Sequence, residues 1–576
     1  MSKTVAEVLV DQMVEAGISK VYGIVGDSAN PIVDALRRHE AEIEFVHVRN
    51  EEAGAFAAGA DAQISGRPTA VLGSSGPGSV HLLNGLYDCQ RNGARVFAIA
   101  THIPSTEIGT GYFQETNPEQ IFSGCCNYIG TLTTPDQMPR LSELALQAAI
   151  LGRGVGMVIV PGDIAAQEVR HEMVKHPIVT ERPVIRPCDS ALDEAAELIA
   201  AASNIAIYGG EGTRAARDEV LQLSAALKAP IAYAYRGKDV LEADNPNAVG
   251  MTGLLGWGGA AGALGSCDLL IMLGTDFPYH AFLPSGPKII QVDDNPAHLG
   301  RRASVDVGLV GDVGETLRAL LPRLSARSDT KFLDAVTKHH HKAVEKLQTY
   351  VTHEGSGEGL RPEMVATALS DLAEDDAVFT VDTGMCNVWG ARYLHMREGR
   401  RILASFSHGS MANAMPQAIG AKIGSPDRQV IALCGDGGIS MLLGELITIA
   451  ERQLPVKLFV LHNNKLDFVN IEFQEAGLRP FGTDLWNPDF SRVADAIGLK
   501  GVRLDDPRTV RETVQQVLDH EGPVLVDAMV DPNALAMPPH VNKQMVSRFG
   551  FSEMKQIMHG EGGNVVKNVE KNIDLI

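Results

Sequence analysis

The sequence predicts an α/β protein built from three doubly wound parallel-sheet domains followed by a C-terminal tail. Three observations lead to this. Short apolar runs alternate with helix-like segments along most of the 576 residues, as expected of strands joined by crossover helices. The alternation is broken by a proline-rich stretch at 177–187 (PIVTERPVIRP), which has no helical period and reads as an extended linker. It is broken again by a polar, helix-prone connector containing His339, His340 and His341. The length suits roughly three to four domains. The expected boundaries are 1–182, 183–335, 336–532 and a tail at 533–576.

In the first domain the strand-like runs fall at 21–25, 43–48, 70–72, 96–100 and 155–160. In the second they fall at 205–208, 230–234, 269–273 and 288–292. The third holds two well-marked runs, 430–434 and 456–461, separated by a helix-like segment. Three consecutive histidines on a helix cannot all face one metal, so the connector is expected to present a solvated face. The first and third domains are candidates for a shared fold. In the tail, Val565, Val566, Val569, Ile573 and Ile576 share one helical face, preceded by an apolar cluster and a glycine break. Two readings stay open for it: an arm packed on the body, or an interfacial amphipathic segment.

A net charge of −21, from 50 basic and 71 acidic residues, argues against a phosphate-backbone binder, and no nucleic-acid partner is expected. The N-terminal pattern is an amphipathic helix without the continuous apolar core of a signal peptide. No apolar run reaches the length of a membrane span. Seven scattered cysteines, with no CxxC pair, fit reduced thiols in a cytoplasmic protein.

Residues 434–464 read CGDGGISMLLGELITIAERQLPVKLFVLHNN. One apolar run ends at Gly435-Asp436-Gly437-Gly438, and the next ends at His462-Asn463-Asn464. Parallel strands bring these two ends to the same sheet edge. There the Asp436 carboxylate, an Asn oxygen and glycine-rich N–H groups suit a divalent cation bridging to phosphate oxygens. Gly-Asp-Gly alone is a common turn; the Asn pair one crossover later makes the pattern specific. A carboxyl group in an apolar pocket is suited to proton relay. Glu51, where a strand end meets the helix-like AGAFAAGADA, meets that description, although a lone Glu at a helix start also serves as a dipole partner. The small residues of that helix allow another surface to approach closely.

Several words of the sequence carry a family resemblance: YGIVGDSANPIVDAL, RNEEAGAFAAGADAQ, SSGPGSVHLLNGLYD, HIPSTEIGTGYFQET, RGKDVLEADNPNAVGMTGLLG, LGTDFPY, QVDDNP and SFSHGSMANAMPQAIGA. Through these, residues 1–532 closely resemble the thiamine-diphosphate enzymes of the pyruvate oxidase and acetolactate synthase group, nearest to its flavin-dependent, quinone-reducing branch. The resemblance implies pyrimidine-binding and diphosphate-binding domains flanking a Rossmann-like FAD domain, with thiamine diphosphate, Mg2+ and FAD as cofactors. It implies that Glu51 activates the cofactor, and that Asp436, Asn463 and the main-chain oxygen of Lys465 hold the metal. Gly437, Gly438 and Asn464 would adjoin the diphosphate. Gly409, Ser410 and Met411 would line the aminopyrimidine. Phe113, Gln114 and a mobile Phe468 would face the substrate. Met251, Thr252, Gly253 and Leu254, then Gly274, Thr275, Asp276, Phe277 and Pro278, and Asp293 would contact FAD. A second signal for FAD, Gly210-Glu211-Gly212, is a weak dinucleotide-loop likeness.

The implied reaction is oxidative decarboxylation of pyruvate to acetate and CO2 through an enamine on the cofactor, with electrons leaving through FAD to a membrane quinone. An oxygen- and phosphate-using pyruvate oxidase, an acetolactate synthase, and an inactive binding protein of the same fold are the alternatives. The resemblance also implies a homotetramer with cofactors between subunits, and lipid contact through the tail at the inner face of the cell membrane. Three residues depart from the family pattern: Asn50 where a His usually precedes the Glu, His462 where an Asn is usual, and Asp467 where a Gly is usual.

Overall fold

The computed structural model describes residues 3–170, 178–352 and 359–534. The tail expected to act as an arm or interfacial segment lies, from residue 535 onward, outside the described residues.

Three parallel sheets form the chain. The first contains β1 (Lys20–Gly23), β2 (Glu44–His47), β3 (Thr69–Gly73), β4 (Val96–His102), β5 (Tyr128–Thr131) and β6 (Val155–Pro161). Its order is β2-β1-β3-β4-β6-β5. The third contains β14 (Val378–Val381), β15 (Arg401–Ala404), β16 (Val430–Gly435), β17 (Val456–His462), β18 (Lys500–Leu504) and β19 (Val524–Met529). Its order, β15-β14-β16-β17-β19-β18, repeats the first strand for strand, and every pairing in both sheets is parallel. The two units therefore share one topology. Each reverses direction beside its first strand, which opens a crevice at the carboxyl edge.

The central sheet contains β7 (Ile205–Gly209), β8 (Ile231–Tyr233), β9 (Ala248–Met251), β10 (Trp257–Gly258), β11 (Leu269–Leu273), β12 (Lys288–Asp293) and β13 (Val307–Val310). Its order is β10-β9-β8-β7-β11-β12-β13, with only the two-residue β10 antiparallel. Without β10 this is the doubly wound dinucleotide-binding order, with its switch point between β7 and β11. The proline-rich stretch, described from 178, carries no regular element up to Cys188. It lies along this unit, where the Ile185 N–H donates to the Asp312 carboxylate (2.7 Å).

The connector histidines lie on helix Lys331–Thr352. His339 and His341 are exposed, as expected of a solvated face. His340 departs from it: its ring packs 5.3 Å from Trp257. Burial lowers its pKa to about 4.

The first and third units meet through glycine and alanine. Helix Glu51–Ser65 carries a nearly continuous buried Ala/Gly surface and packs against helix Ala414–Gly424. A Cβ on Gly420 would overlap the Ala57 carbonyl oxygen, and one on Gly424 would overlap the Asp61 carboxylate. One apolar cluster consequently runs from β1 and β3 through these helices to β16 and β17. Gly420→Ala should destabilise the protein by about 1–3 kcal/mol through overpacking, measured by denaturant unfolding. A neutral effect would show that the two helices can move apart freely.

Candidate functional site

Asp436 is the first residue of a short helix, Asp436–Met441, directly after β16. A second short helix, Glu445–Glu451, follows after a break, so the crossover is two pieces rather than the single helix its sequence suggests. The Asp436 carboxylate is buried. Its Oδ1 accepts the Gly437 N–H (2.9 Å), and its Oδ2 accepts the Asn464 N–H (2.7 Å) and Asn487 Nδ2–H (3.0 Å). Burial raises its pKa against these bonds. No lysine or arginine ion-pairs with it among the described residues, and the nearby charge that favours its ionised form is that of His462.

Asn463 lies one residue past β17, and its Oδ1 accepts the Lys465 N–H (3.0 Å). The Lys465 carbonyl accepts no hydrogen bond from the described residues. The Asn464 side chain turns elsewhere: its Oδ1 faces His462 Nε2 (2.9 Å) and Asn487 Nδ2 (3.3 Å), with φ at +56°. One carboxylate, one amide oxygen and one main-chain carbonyl are hard oxygen donors of the kind that fits Mg2+. No cluster of three His, Cys, Asp or Glu side chains able to hold a metal occurs among the described residues. The remaining ligands of such an ion would have to come from phosphate and water. Gly437 has no space for a side chain, since a Cβ there would lie 2.8 Å from Leu466 and 3.4 Å from Met411 Cε.

Two of the departures find a physical account here. His462 is held by Asp527 through Nδ1 (2.8 Å). Burial disfavours its charged form, but Asp527 and Asn464 outweigh burial and raise its pKa. Asp467 is buried at the start of helix Asp467–Glu475. Burial pushes its pKa up to about 7 against the opposing effects of Lys465 and Asn470. Burial thus opposes full ionisation of this side chain at neutral pH.

Gly409 has φ +74°. The Ser410 N–H donates to Ser405 Oγ (2.9 Å), and Met411 lies over Gly437. Asp382, which ends β14's connection, was not legible as functional in the sequence. It is buried and accepts the Ala414 N–H through Oδ1 (2.9 Å) and the Gly435 N–H through Oδ2 (3.2 Å). It thereby ties the loop bearing Gly409–Met411 to the loop bearing Asp436. Its pKa is raised by burial to about 7. Asn487 is the other addition, a second donor to Asp436 from a loop more than 50 residues later in the chain.

Glu51 opens its helix and is only 4% exposed. Its Oε2 lies 3.1 Å from His81 Nδ1, and a Cβ on Gly78 would lie 2.9 Å from Oε1. Asn50 caps the helix, its Oδ1 accepting the Glu52 N–H (2.8 Å), so the third departure has a local structural role. Gln114 adopts φ +64° and accepts from Ser75 Oγ (3.0 Å), while Phe113 is 78% exposed. Phe468 is half-buried at the edge of the third unit's core. Among the described residues no hydrogen bond joins Glu51 or Gln114 to the Asp436 cluster. The two half-sites do touch indirectly, through Asn84 Nδ2 to Ser410 Oγ (2.9 Å).

In the central unit Met251, Thr252, Thr275, Phe277 and Asp293 are buried, and Leu254 is exposed. Gly253 and Gly274 have positive φ. Phe277 stands edge-on to Tyr208 (5.4 Å) just before Pro278. Asp276 pairs with Arg301 and Arg302. Asp293 accepts the Asn295 N–H (2.9 Å) and faces His298 Nδ1 (3.0 Å) at the carboxyl end of β12. These segments lie at the carboxyl ends of β9, β11 and β12, the edge at which doubly wound sheets take their ligands. Gly210-Glu211-Gly212 does not act as a phosphate loop. The N–H groups of Gly210, Gly212 and Thr213 all donate to backbone carbonyls, and Glu211 is paired with Arg214.

Residues 3–121, 192–320 and 382–528 match, respectively, the N-terminal TPP binding domain, the central domain and the C-terminal TPP binding domain of thiamine pyrophosphate enzymes. The chain is 35% identical over 531 residues to a putative thiamine pyrophosphate-containing protein of Bacillus subtilis, covering 92% of each. It is 31% identical over 530 residues to a pyruvate oxidase of Lactiplantibacillus plantarum, covering 89% of this chain and 86% of that one. It is 28% identical over 560 residues to a probable acetolactate synthase large subunit of Methanocaldococcus jannaschii, covering 93% of each.

A methyl group on Gly438 would overlap the Asp382 carboxylate. Gly438→Ala should therefore weaken Mg-dependent thiamine diphosphate binding by roughly 5–100-fold, the affinity equivalent of about 1–3 kcal/mol of overpacking. Calorimetric titration reads the change, and unaltered affinity would remove Asp382 from the tie between the two loops.

Proposed function

Because the chain belongs to the thiamine pyrophosphate enzyme family, we propose that it decarboxylates pyruvate oxidatively: pyruvate and water yield acetate, CO2, two protons and two electrons, and the electrons leave through FAD to a membrane quinone. Thiamine diphosphate, when bound, supplies the electron sink that lets a 2-oxo acid release CO2, and FAD supplies a two-electron acceptor. The observation that carries this reading is a buried carboxyl at a helix start in the first unit together with a carboxylate, amide and carbonyl oxygen at the corresponding sheet edge of the third. Glu51 holds and moves the proton that activates the coenzyme. Asp436, Asn463 and the Lys465 carbonyl hold Mg2+, and Gly437, Gly438 and Asn464 border the diphosphate. Gly409, Ser410 and Met411 support the pyrimidine, while Phe113, Gln114 and Phe468 bound the substrate space. Segments 251–254 and 274–278, with Asp293, hold FAD at the central switch point.

In this reading a second copy of the chain completes the site, in a dimer or tetramer. The exposure of Phe481 and Trp486, each nearly 90%, supports the same reading, because large rings rarely stay in water. Among the described residues no helix is long and apolar enough to cross a membrane. Contact with a quinone is assigned to the sequence pattern of residues 545–576. The likeness to acetolactate synthases favours one second reading, in which a second pyruvate is joined and FAD takes no electrons.

Glu51→Gln should lower turnover of pyruvate by about two to four orders of magnitude, the usual worth of a positioned acid–base group, while thiamine diphosphate and Mg2+ still bind. Retained turnover would take Glu51 out of the reaction. Anaerobic mixing of the wild type with Mg2+, thiamine diphosphate and pyruvate should bleach the flavin absorbance, and a quinone analogue should restore it. Acetolactate formed without bleaching would establish the second reading. Deleting 545–576 should spare activity with a soluble dye and lower it with quinone in lipid vesicles; equal activity in both assays would end the tail's role.

A further inference from the structure

We propose that Glu115 is a positioning residue: its carboxylate acts as an internal anion around which loop 103–117 folds, and this sets the turn that presents Phe113 and Gln114. The inference rests on the reading of those two residues as substrate-facing. The loop leaves the carboxyl end of β4 and contains Gly109 and Gly111, at φ +90° and +78°. Conformations of this kind aim successive N–H groups into one concavity, which normally receives an anion. Here the anion is part of the same chain. Glu115 Oε1 accepts the Gly109 N–H (2.5 Å), and Oε2 accepts the N–H groups of Gly111 (2.7 Å) and Tyr112 (3.2 Å). The Glu115 N–H closes the turn by donating to the Tyr112 carbonyl (2.9 Å). The backbone bonds, that of Gly109 foremost, hold the carboxyl below its ordinary range.

The consequence falls on the two residues between Tyr112 and Glu115. Phe113 is 78% exposed, so packing does not fix its ring. Gln114 sits in the left-handed region, which a residue with a side chain enters at a cost of about 1–3 kcal/mol. Its Cβ is pressed close to where a Gly76 side chain would start, and its Oε1 accepts from Ser75. The backbone route into this conformation is set by the Glu115 anchor on one side and the Ser75–Gly76 surface on the other. An exposed ring and a strained glutamine, both held by polar bonds rather than by burial, suit a segment whose shape serves a ligand more than the core.

The test uses full-length protein with its cofactors, as Glu115→Ala and Glu115→Gln. Hydrogen exchange at the Gly109, Gly111 and Tyr112 amides should be about tenfold or more faster in Glu115→Ala. kcat/KM for pyruvate should fall about tenfold, chiefly through KM, with thiamine diphosphate affinity and flavin absorbance unchanged. Glu115→Gln retains one acceptor oxygen and should fall between the two proteins on both measures, a graded response that a variant failing to fold cannot give. Unchanged amide exchange would overturn the proposal by showing that the carboxylate does not hold the loop. Fast exchange with unchanged KM would overturn it by showing that the turn does not serve the substrate. Should the wild type turn over no pyruvate, the reading of the substrate fails by itself. The same kinetics are then run on whichever 2-oxo acid the wild type consumes, and the exchange data decide the loop anchor independently.

Discussion

The contact between helices Glu51–Ser65 and Ala414–Gly424 fixes the frame of the molecule. Each helix leads away from a site segment: Glu51 opens the first, and the loop bearing Gly409, Ser410 and Met411 runs into the second. Gly420 and Gly424 have no side chain because the facing backbone and the Asp61 carboxylate occupy that space. Side chains at those positions would push the helices apart and move both site segments with them. The same economy of volume recurs at Gly85, where a Cβ would lie 2.5 Å from Ala55 Cβ. A third helix, Pro77–Asn92, is thereby drawn into the same block, and it carries His81 against Glu51 and Asn84 against Ser410.

Around that block, buried carboxyl groups act mainly as organisers of backbone. Asp382 receives N–H groups from two loops, Glu445 receives those of Arg49 and Asn50 (2.8 Å each), and Asp436 receives two more. A carboxylate that accepts N–H bonds from separate segments fixes their spacing better than an apolar contact, because the bonds are short and directional. Burial opposes this by raising the pKa of Asp382, Asp436 and Glu445. At Asp436 the N–H donors of Gly437 and Asn464 and the nearby His462 favour the ionised form against burial. At Asp382, which lies away from the hard-oxygen set, the charge is given up in part and the geometry is kept.

Much of this was legible in the chain itself. The buried central strands β6, β11 and β16 are continuous apolar runs, the pattern of parallel strands covered on both faces. The turn at Gly435–Gly438 and the Asn that follows β17 are local in sequence and local in space. The edge strands β5, β13 and β18 were harder to read, since their residues are half-exposed and form no unbroken apolar run. The glycine turn at Gly210–Gly212 misleads for a related reason. Its pattern suggests free N–H groups, but the neighbouring β11 turn supplies carbonyls that take them up.

The sequence by itself determined the fold class and the turns at Gly435–Gly438 and Asn463–Asn464 that end two apolar runs, because strand period and turn chemistry act over a few residues. Only the tertiary structure decided that the outer units share one strand order, that Asp382 and Asn487 converge on the Asp436 loop, and that burial opposes full ionisation of Asp467. Those outcomes depend on burial and on contacts between residues tens to hundreds of positions apart, and neither is written in any local pattern of side chains.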